Sequence, residues 1–190
     1  MRKTILHLKF TLILIENSDE VVKRACCMRI LLASGSQRRG EILRQRFGRI
    51  DQVALTDVDE TVPRAPISEQ VKQVTSRKAQ AVSLDDSYDV TVVADTLVED
   101  PDDEQQALGK PSSREQATAM LLRLRGRRHR VWSATMVFAR GEWYSSIENA
   151  IVEIGDFSDD ALIELIESES WIGKAGGYDM AGAMGQYAQL

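Results

Sequence analysis

The sequence predicts an α/β fold built on a partly parallel sheet, and three observations carry that prediction. The first is the stretch Ile30 to Leu43, ILLASGSQRRGEIL, in which a short apolar run stops at small residues and a helical pattern follows. The second is Val90 to Val98, VTVVADTLV, which is nearly continuously apolar and β-branched, the pattern of a strand covered on both faces. The third is the amphipathic helical pattern lying between them, since parallel neighbours need long crossovers. At 190 residues, with 43% hydrophobic and 28% charged residues, the chain is long enough for one substantial core. A net charge of −5 excludes general electrostatic capture of nucleic acid or an acidic membrane, so any anion site must be a local basic cluster.

Taken in order, residues 1–27 read as an N-terminal extension outside the fold. Their basic start and apolar run from Ile5 to Ile15 are interrupted by His7 and Lys9, are too short to span a bilayer, and lead into Glu16–Glu20 with no small-residue cleavage site. Met28, two residues before the first strand, is an alternative start, and residues 28–190 form the expected domain. The adjacent Cys26 and Cys27 offer no disulfide framework and no zinc spacing. Ile30–Ala33 is a strand and Ser34–Ser36 a turn. The helix after it ends at Gly48. Unpaired N–H groups at such a helix start favour an anion, and Arg38 and Arg39 add charge. Adjacent helical residues diverge by about a hundred degrees, so both arginines cannot face one site in a regular helix.

Ile50–Val58 is predicted as a strand, ending in Asp57, Asp59 and Glu60 and a loop punctuated by Pro63 and Pro66. Ser68 is the expected cap of a helix running to about Leu84, with Lys78 beside its apolar stripe. In the strand Val90–Val98, Asp95 interrupts the apolar run. A buried carboxylate there costs several kcal/mol unless paired or bound to a cation. The acidic stretch Glu99–Glu104 is expected as an exposed turn, and Leu108–Pro111, with Lys110, as the return. Ser112 and Glu115 have capping-box spacing before a helix that stops at Gly126. His129–Phe138 and Tyr144–Ile154 make a hairpin around Arg140–Glu142. Ser158 caps a last helix, and Trp171 onward is glycine-rich.

Together, LASGSQRRGEIL, TDVDET, SRKA, VVADTLV, LGKP, LRGRRHRV and ESESWIGKAGGYDMAG resemble, in order, the motifs of the Maf-like nucleoside triphosphate pyrophosphatases, over residues 29 to about 185. The resemblance implies an elongated, mixed central sheet flanked by helices, with two lobes around a cleft, and metal-dependent cleavage between the α and β phosphates of a nucleoside triphosphate. Carried over by motif, Ser34, Arg38 and Arg39 hold phosphates. Asp95, Lys78 and Lys110 are the catalytic set. Asp59 and Glu60, with Asp95, serve a divalent Mg²⁺ or Mn²⁺, whose preference for hard oxygen ligands suits carboxylates. Thr96, after the central aspartate, matches the dTTP/UTP branch; glutamine there accompanies the 7-methyl-GTP branch. A cytoplasmic homodimer is implied by family analogy.

The chain departs from the family at Gln37, where proline is common, and at Ala181, where the dTTP/UTP branch often has glutamine. It also ends at Leu190, before the strand and Gly-Leu-Pro segment usual in the family. The rival reading is a nucleotide- or nucleic-acid-binding regulator that uses the basic run Arg125, Arg127, Arg128, His129 and Arg130; the run lacks interleaved aromatics, so nucleic acid is not the expected partner.

Overall fold

Residues 28–190 are described by a computed structural model. The reading of residues 1–27 as an extension lies outside the described residues. The strands are β1 (Ile30–Ala33), β2 (Asp51–Val53), β3 (Val90–Asp100), β4 (Asp103–Leu108), β5 (Arg128–Ala139), β6 (Glu142–Ile154) and β7 (Ala188–Gln189). The helices are α1 (Gln37–Phe47), α2 (Ile67–Gln80), α3 (Arg114–Leu124) and α4 (Asp159–Glu167). They form a mixed seven-stranded sheet in the order β2-β1-β3-β5-β6-β7, with β4 paired to β3. Both β2 and β3 run parallel to β1, in the register Ala33 to Val53 and Ile30 to Val90. Among the described residues no helix is long and apolar enough to cross a membrane.

The chain divides into two compact units. One contains residues up to Val62 with Lys72–Asp95 and Ala134–Glu148, and the other contains Pro63–Val71, Thr96–Ser133 and Asn149–Leu190. In the first, alternation along β1 and β3 sorts the side chains by face. Ile30, Leu32, Val90 and Val92 pack with Leu43 of α1 in one cluster, while Ala33 and Val93 pack with Ala79 of α2 in another. The two helices therefore cover opposite faces of the parallel strands, as right-handed crossovers to the two sides of β1 require. Asp95, two residues beyond Val93, falls on the α2 face.

Several sequence expectations need correction. The strand expected over Ile50–Val58 is only Asp51–Val53, because its one partner, β1, ends at Ala33 and offers no further hydrogen bonds. Ser68 does not cap α2. The helix starts at Ile67, where the carbonyl of Pro66 accepts from the N–H groups of Glu69 and Gln70, and it ends at Gln80 instead of Leu84. The cap of α3 is Ser113, one residue later than expected. Its hydroxyl accepts from the N–H of Gln116, while the Gln116 side chain accepts from the N–H of Ser112. The acidic turn is the largest change: β3 continues through Glu99 and Asp100, both buried, and β4 returns antiparallel to it. Burial is tolerated because each acid has donors. Glu99 accepts from Trp132 Nε1 at 2.7 Å and Arg130 at 3.2 Å, and Asp100 pairs with Arg123 at 2.8 Å.

Other features stand as read. The β5–β6 hairpin turns on Arg140 and Gly141, both at positive φ (54° and 83°), the two-residue turn whose twist suits adjoining strands. Ser158 caps α4 by accepting from Ala161 N–H. The glycine-rich segment opens on Trp171, which the structure encloses in the second unit's core with its indole N–H on the carbonyl of Ile166.

That core also encloses His129, 4% exposed, whose Nε2 lies 2.7 Å from the Tyr178 hydroxyl while Nδ1 has no partner. Burial pushes its pKa down to about 4. The imidazole thus stays neutral in the folded protein where the unfolded chain, titrating near 6.5, takes up a proton, so stability falls as pH drops through this window. Between pH 7 and pH 5 this one group is expected to remove about 2 kcal/mol. Urea unfolding of the wild type and His129→Phe at both pH values checks it. The variant should lose correspondingly less on acidification, and parallel losses would assign the effect elsewhere.

Candidate active site

The site in the first unit begins where β1 ends. Ser34, Gly35 and Ser36 carry the chain into α1, and Ser36 caps the helix through the Arg39 N–H at 3.4 Å. The Ser34 hydroxyl accepts from Ser36 N–H at 3.3 Å and from the Arg39 guanidinium at 3.2 Å, so the loop is folded over its own side chain. The Gln52 amide, from β2, donates to the carbonyls of Ser34 (2.7 Å) and Ser36 (3.0 Å), and Arg44 donates to its oxygen at 2.9 Å. These bonds fix the loop at the carboxyl end of the strand where the chain order reverses, with β2 on one side of β1 and β3 on the other. Ligand crevices of open α/β sheets form at such points.

Arg39 shares the inner face of α1 with Leu43, one turn on, and reaches Asp95 at 3.9 Å. Burial holds its pKa below the ordinary arginine value, opposed by the charges of Asp95 and Glu60. Arg38 points elsewhere, 58% exposed and 3.8 Å from Glu41. From α2, Lys78 Nζ lies 2.8 Å from Glu60 and 3.1 Å from Asp95. The side chains of Lys78 and Asp95 are only 13% and 12% exposed, so this pairing is shielded from water. Asp59 is set apart. One carboxylate oxygen accepts from Thr61 N–H at 2.9 Å, which holds its pKa below the usual carboxylate value, and the other lies 3.6 Å from Arg77.

Of the sequence-predicted residues, the structure thus brings together Ser34, Arg39, Glu60, Lys78 and Asp95. Thr96 and Lys110 belong to the second unit. Thr96 shares a hydrogen bond with Ser133 at 3.1 Å, and Lys110 is exposed between Gly109 and Pro111. Sequence reasoning missed Gln52 and Arg77. Arg77 sits beside Lys78 in SRKA, and its signal was the charge next to the lysine. The basic run is neutralised in place: Arg125 pairs with Asp159 at 2.7 Å, Arg127 with Asp102 at 2.6 Å, Arg128 with Glu153 at 2.7 Å and Arg130 with Glu99 at 3.2 Å. His129 between them is buried.

Two cations, Arg39 and Lys78, face two carboxylates, Glu60 and Asp95, so their formal charges cancel. A polyphosphate would meet little net positive charge from these four groups alone. Among the described residues no three acidic, histidine or cysteine side chains gather to cage a metal. Glu60 and Asp95 nevertheless converge on one ammonium, and two carboxylates with phosphate and water oxygens are what Mg²⁺ ordinarily takes. The residues present therefore fit a hard divalent ion shared with a phosphate ligand.

Known proteins resemble the chain along most of its length. A dTTP/UTP pyrophosphatase of Ruegeria sp. (strain TM1040) is 33% identical over 159 residues, covering 83% of this chain and 80% of that protein. Another of Desulforamulus reducens is 33% identical over 156 residues, 80% of each, and one of Bacillus anthracis is 30% identical over 155 residues, 81% and 79%. The Staphylococcus aureus Ham1 protein is a remoter structural likeness, with a TM-score of 0.45 and 17% identity over 67% of this chain and 72% of that one. The family model described as Maf-like protein matches residues 29–189, nearly everything the structure describes, and the chain belongs to that family.

Proposed function

We propose that this protein is a nucleoside triphosphate pyrophosphatase that hydrolyses the α–β phosphoanhydride of dTTP, UTP or modified pyrimidine nucleotides, yielding a nucleoside monophosphate and pyrophosphate. The observation that carries the reading is Asp95, a shielded carboxylate in the middle of β3, held by Lys78 and Arg39 beside the capped start of α1. Family membership and the dTTP/UTP pyrophosphatases among the relatives support the same reaction.

In this reading the helix start and Arg39 take phosphate oxygens, since free N–H groups and a guanidinium both favour anions. Lys78 compensates charge between Glu60 and Asp95 and turns its donors to the triphosphate. Asp95 orients the attacking water and accepts its proton, a task for which a carboxylate beside fixed cations is preorganised. Glu60 and Asp95 would hold Mg²⁺ or Mn²⁺, which when bound supplies Lewis-acid charge neutralisation on phosphate oxygens. A role in the nucleotide pool would suit a cytoplasmic protein.

A nucleotide panel tests the proposal. Purified protein with Mg²⁺ or Mn²⁺ is expected to release pyrophosphate from dTTP and UTP faster than from CTP, ATP, GTP or 7-methyl-GTP, and excess EDTA should abolish turnover, to be restored by added metal. Absence of pyrophosphate release from every nucleotide, or release of orthophosphate only, would overturn the reaction. Turnover unaffected by EDTA would overturn the metal's part in it.

A further inference from the structure

We infer that Arg77 is a positioning residue, acting through Glu60: it clasps the acidic loop by the two peptide carbonyls that flank Glu60, and so holds that carboxylate on Lys78. The inference rests on the proposed reaction and extends it to a residue outside the charged cluster.

The loop needs such a clasp. From Ala54 to Pro66 the chain has no helix or strand, Asp57 stands at φ 60°, and Asp59, Glu60 and Thr61 are exposed. Backbone in that state opens readily unless something outside it makes hydrogen bonds to it. Arg77 supplies them. One terminal nitrogen of its guanidinium donates to the carbonyl of Asp59 at 3.1 Å and to the carbonyl of Thr61, and lies 3.6 Å from the Asp59 carboxylate. The Asp59 side chain closes the same turn on Thr61 N–H. Glu60, between these two anchored carbonyls, has its carboxylate 2.8 Å from Lys78 Nζ.

Arg77 and Lys78 are neighbours on α2, so one helical turn presents two different functions. Lys78 meets the side chains of Glu60 and Asp95, and Arg77, about a hundred degrees around the helix, meets the main chain that delivers Glu60. Arginine suits the task because its guanidinium stays charged and its donors lie in a fixed plane. Asp59 then acts as part of the clasp, with its carboxylate already engaged by Thr61 and Arg77.

Two measurements test this, one of them independent of turnover. A glutamate-specific endoproteinase can cut after Glu60, and mass spectrometry gives the rate at that bond. Arg77→Met is expected to raise the rate about tenfold, the loss of charge-assisted hydrogen bonds from the loop, with the midpoint of thermal unfolding little changed. An unchanged cleavage rate in a folded variant would overturn the clasp whether or not the protein hydrolyses nucleotides.

The second measurement is a double-mutant cycle on kcat/KM for pyrophosphate release. Arg77→Met should cost about tenfold in the wild-type background and almost nothing in Glu60→Gln, because a residue acting through Glu60 has no further effect once that carboxylate is gone. Equal losses in both backgrounds would make Arg77 a general structural residue and overturn the inference. A wild type without turnover would overturn the proposed reaction instead, leaving the proteolysis result to decide the clasp.

Discussion

Asp95→Asn is expected to lower kcat/KM for pyrophosphate release by about 10²- to 10⁴-fold, the range ascribed to a positioned proton acceptor, equivalent to ~3–5 kcal/mol of transition-state stabilisation. The substitution keeps the shape of the side chain and an oxygen able to accept from Lys78 Nζ, which lies 3.1 Å away. It removes the charge and the ability to take a proton. Lys78 retains Glu60 at 2.8 Å, so the fold should survive, with a thermal midpoint within a few degrees of the wild type. With the divalent metal supplied in saturating excess, so that a weaker metal site is not limiting, the loss should fall on kcat, because removing a negative charge near a phosphate does not weaken ground-state attraction to Arg39 and Lys78. Steady-state kinetics over a range of dTTP or UTP check the split. Undiminished turnover in Asp95→Asn would remove this carboxylate from the mechanism, and a loss confined to KM would reassign it from chemistry to binding.

Asp95 was legible because a charge inside VTVVADTLV is costly without a partner, and that cost can be read from one strand. Other parts of the site depend on contacts far apart in the chain. Divergence of adjacent helical residues showed that Arg38 and Arg39 could not both face one site, yet the choice between them follows from which side of α1 lies on the sheet. Leu43, four residues after Arg39 and buried, marks that side in retrospect. Arg77 offered only its charge beside Lys78, which does not show its role, since its partners are the backbone carbonyls of residues 16 and 18 positions earlier. The strand β4 was hidden by composition: DEQQAL is polar because most of it is exposed, and Glu99 and Asp100 are buried only because Arg130, Trp132 and Arg123 arrive from later elements. Local pattern thus identified most elements of the parallel core, whereas the compensation of buried charge belonged to tertiary structure.

Gly40→Ala should destabilise the protein by about 3 kcal/mol, against the usual gain of about 1 kcal/mol when alanine replaces glycine within a helix. Gly40 is buried in α1, and a Cβ there would overlap Gln52 Oε1 and lie 2.8 Å from a terminal nitrogen of Arg44. A free glutamine would swing aside. Gln52 is tied, because its amide nitrogen donates to the carbonyls of both Ser34 and Ser36 and its oxygen accepts from Arg44. The added methyl must therefore break those bonds or lift α1 from the sheet, and each lost hydrogen bond to a partly buried carbonyl costs about 1 kcal/mol beyond the overpacking. Because the same bonds hold the loop that carries Ser34, a shift there also moves the Arg39 guanidinium away from Asp95, and KM for the nucleotide should rise along with the loss of stability. Urea unfolding of Gly40→Ala, Gln52→Ala and the double variant separates the contributions. With Gln52 cut back, alanine at 40 should become neutral or stabilising through helix propensity alone. A Gly40→Ala protein that is more stable than the wild type with Gln52 intact would show that the glutamine does not constrain this position.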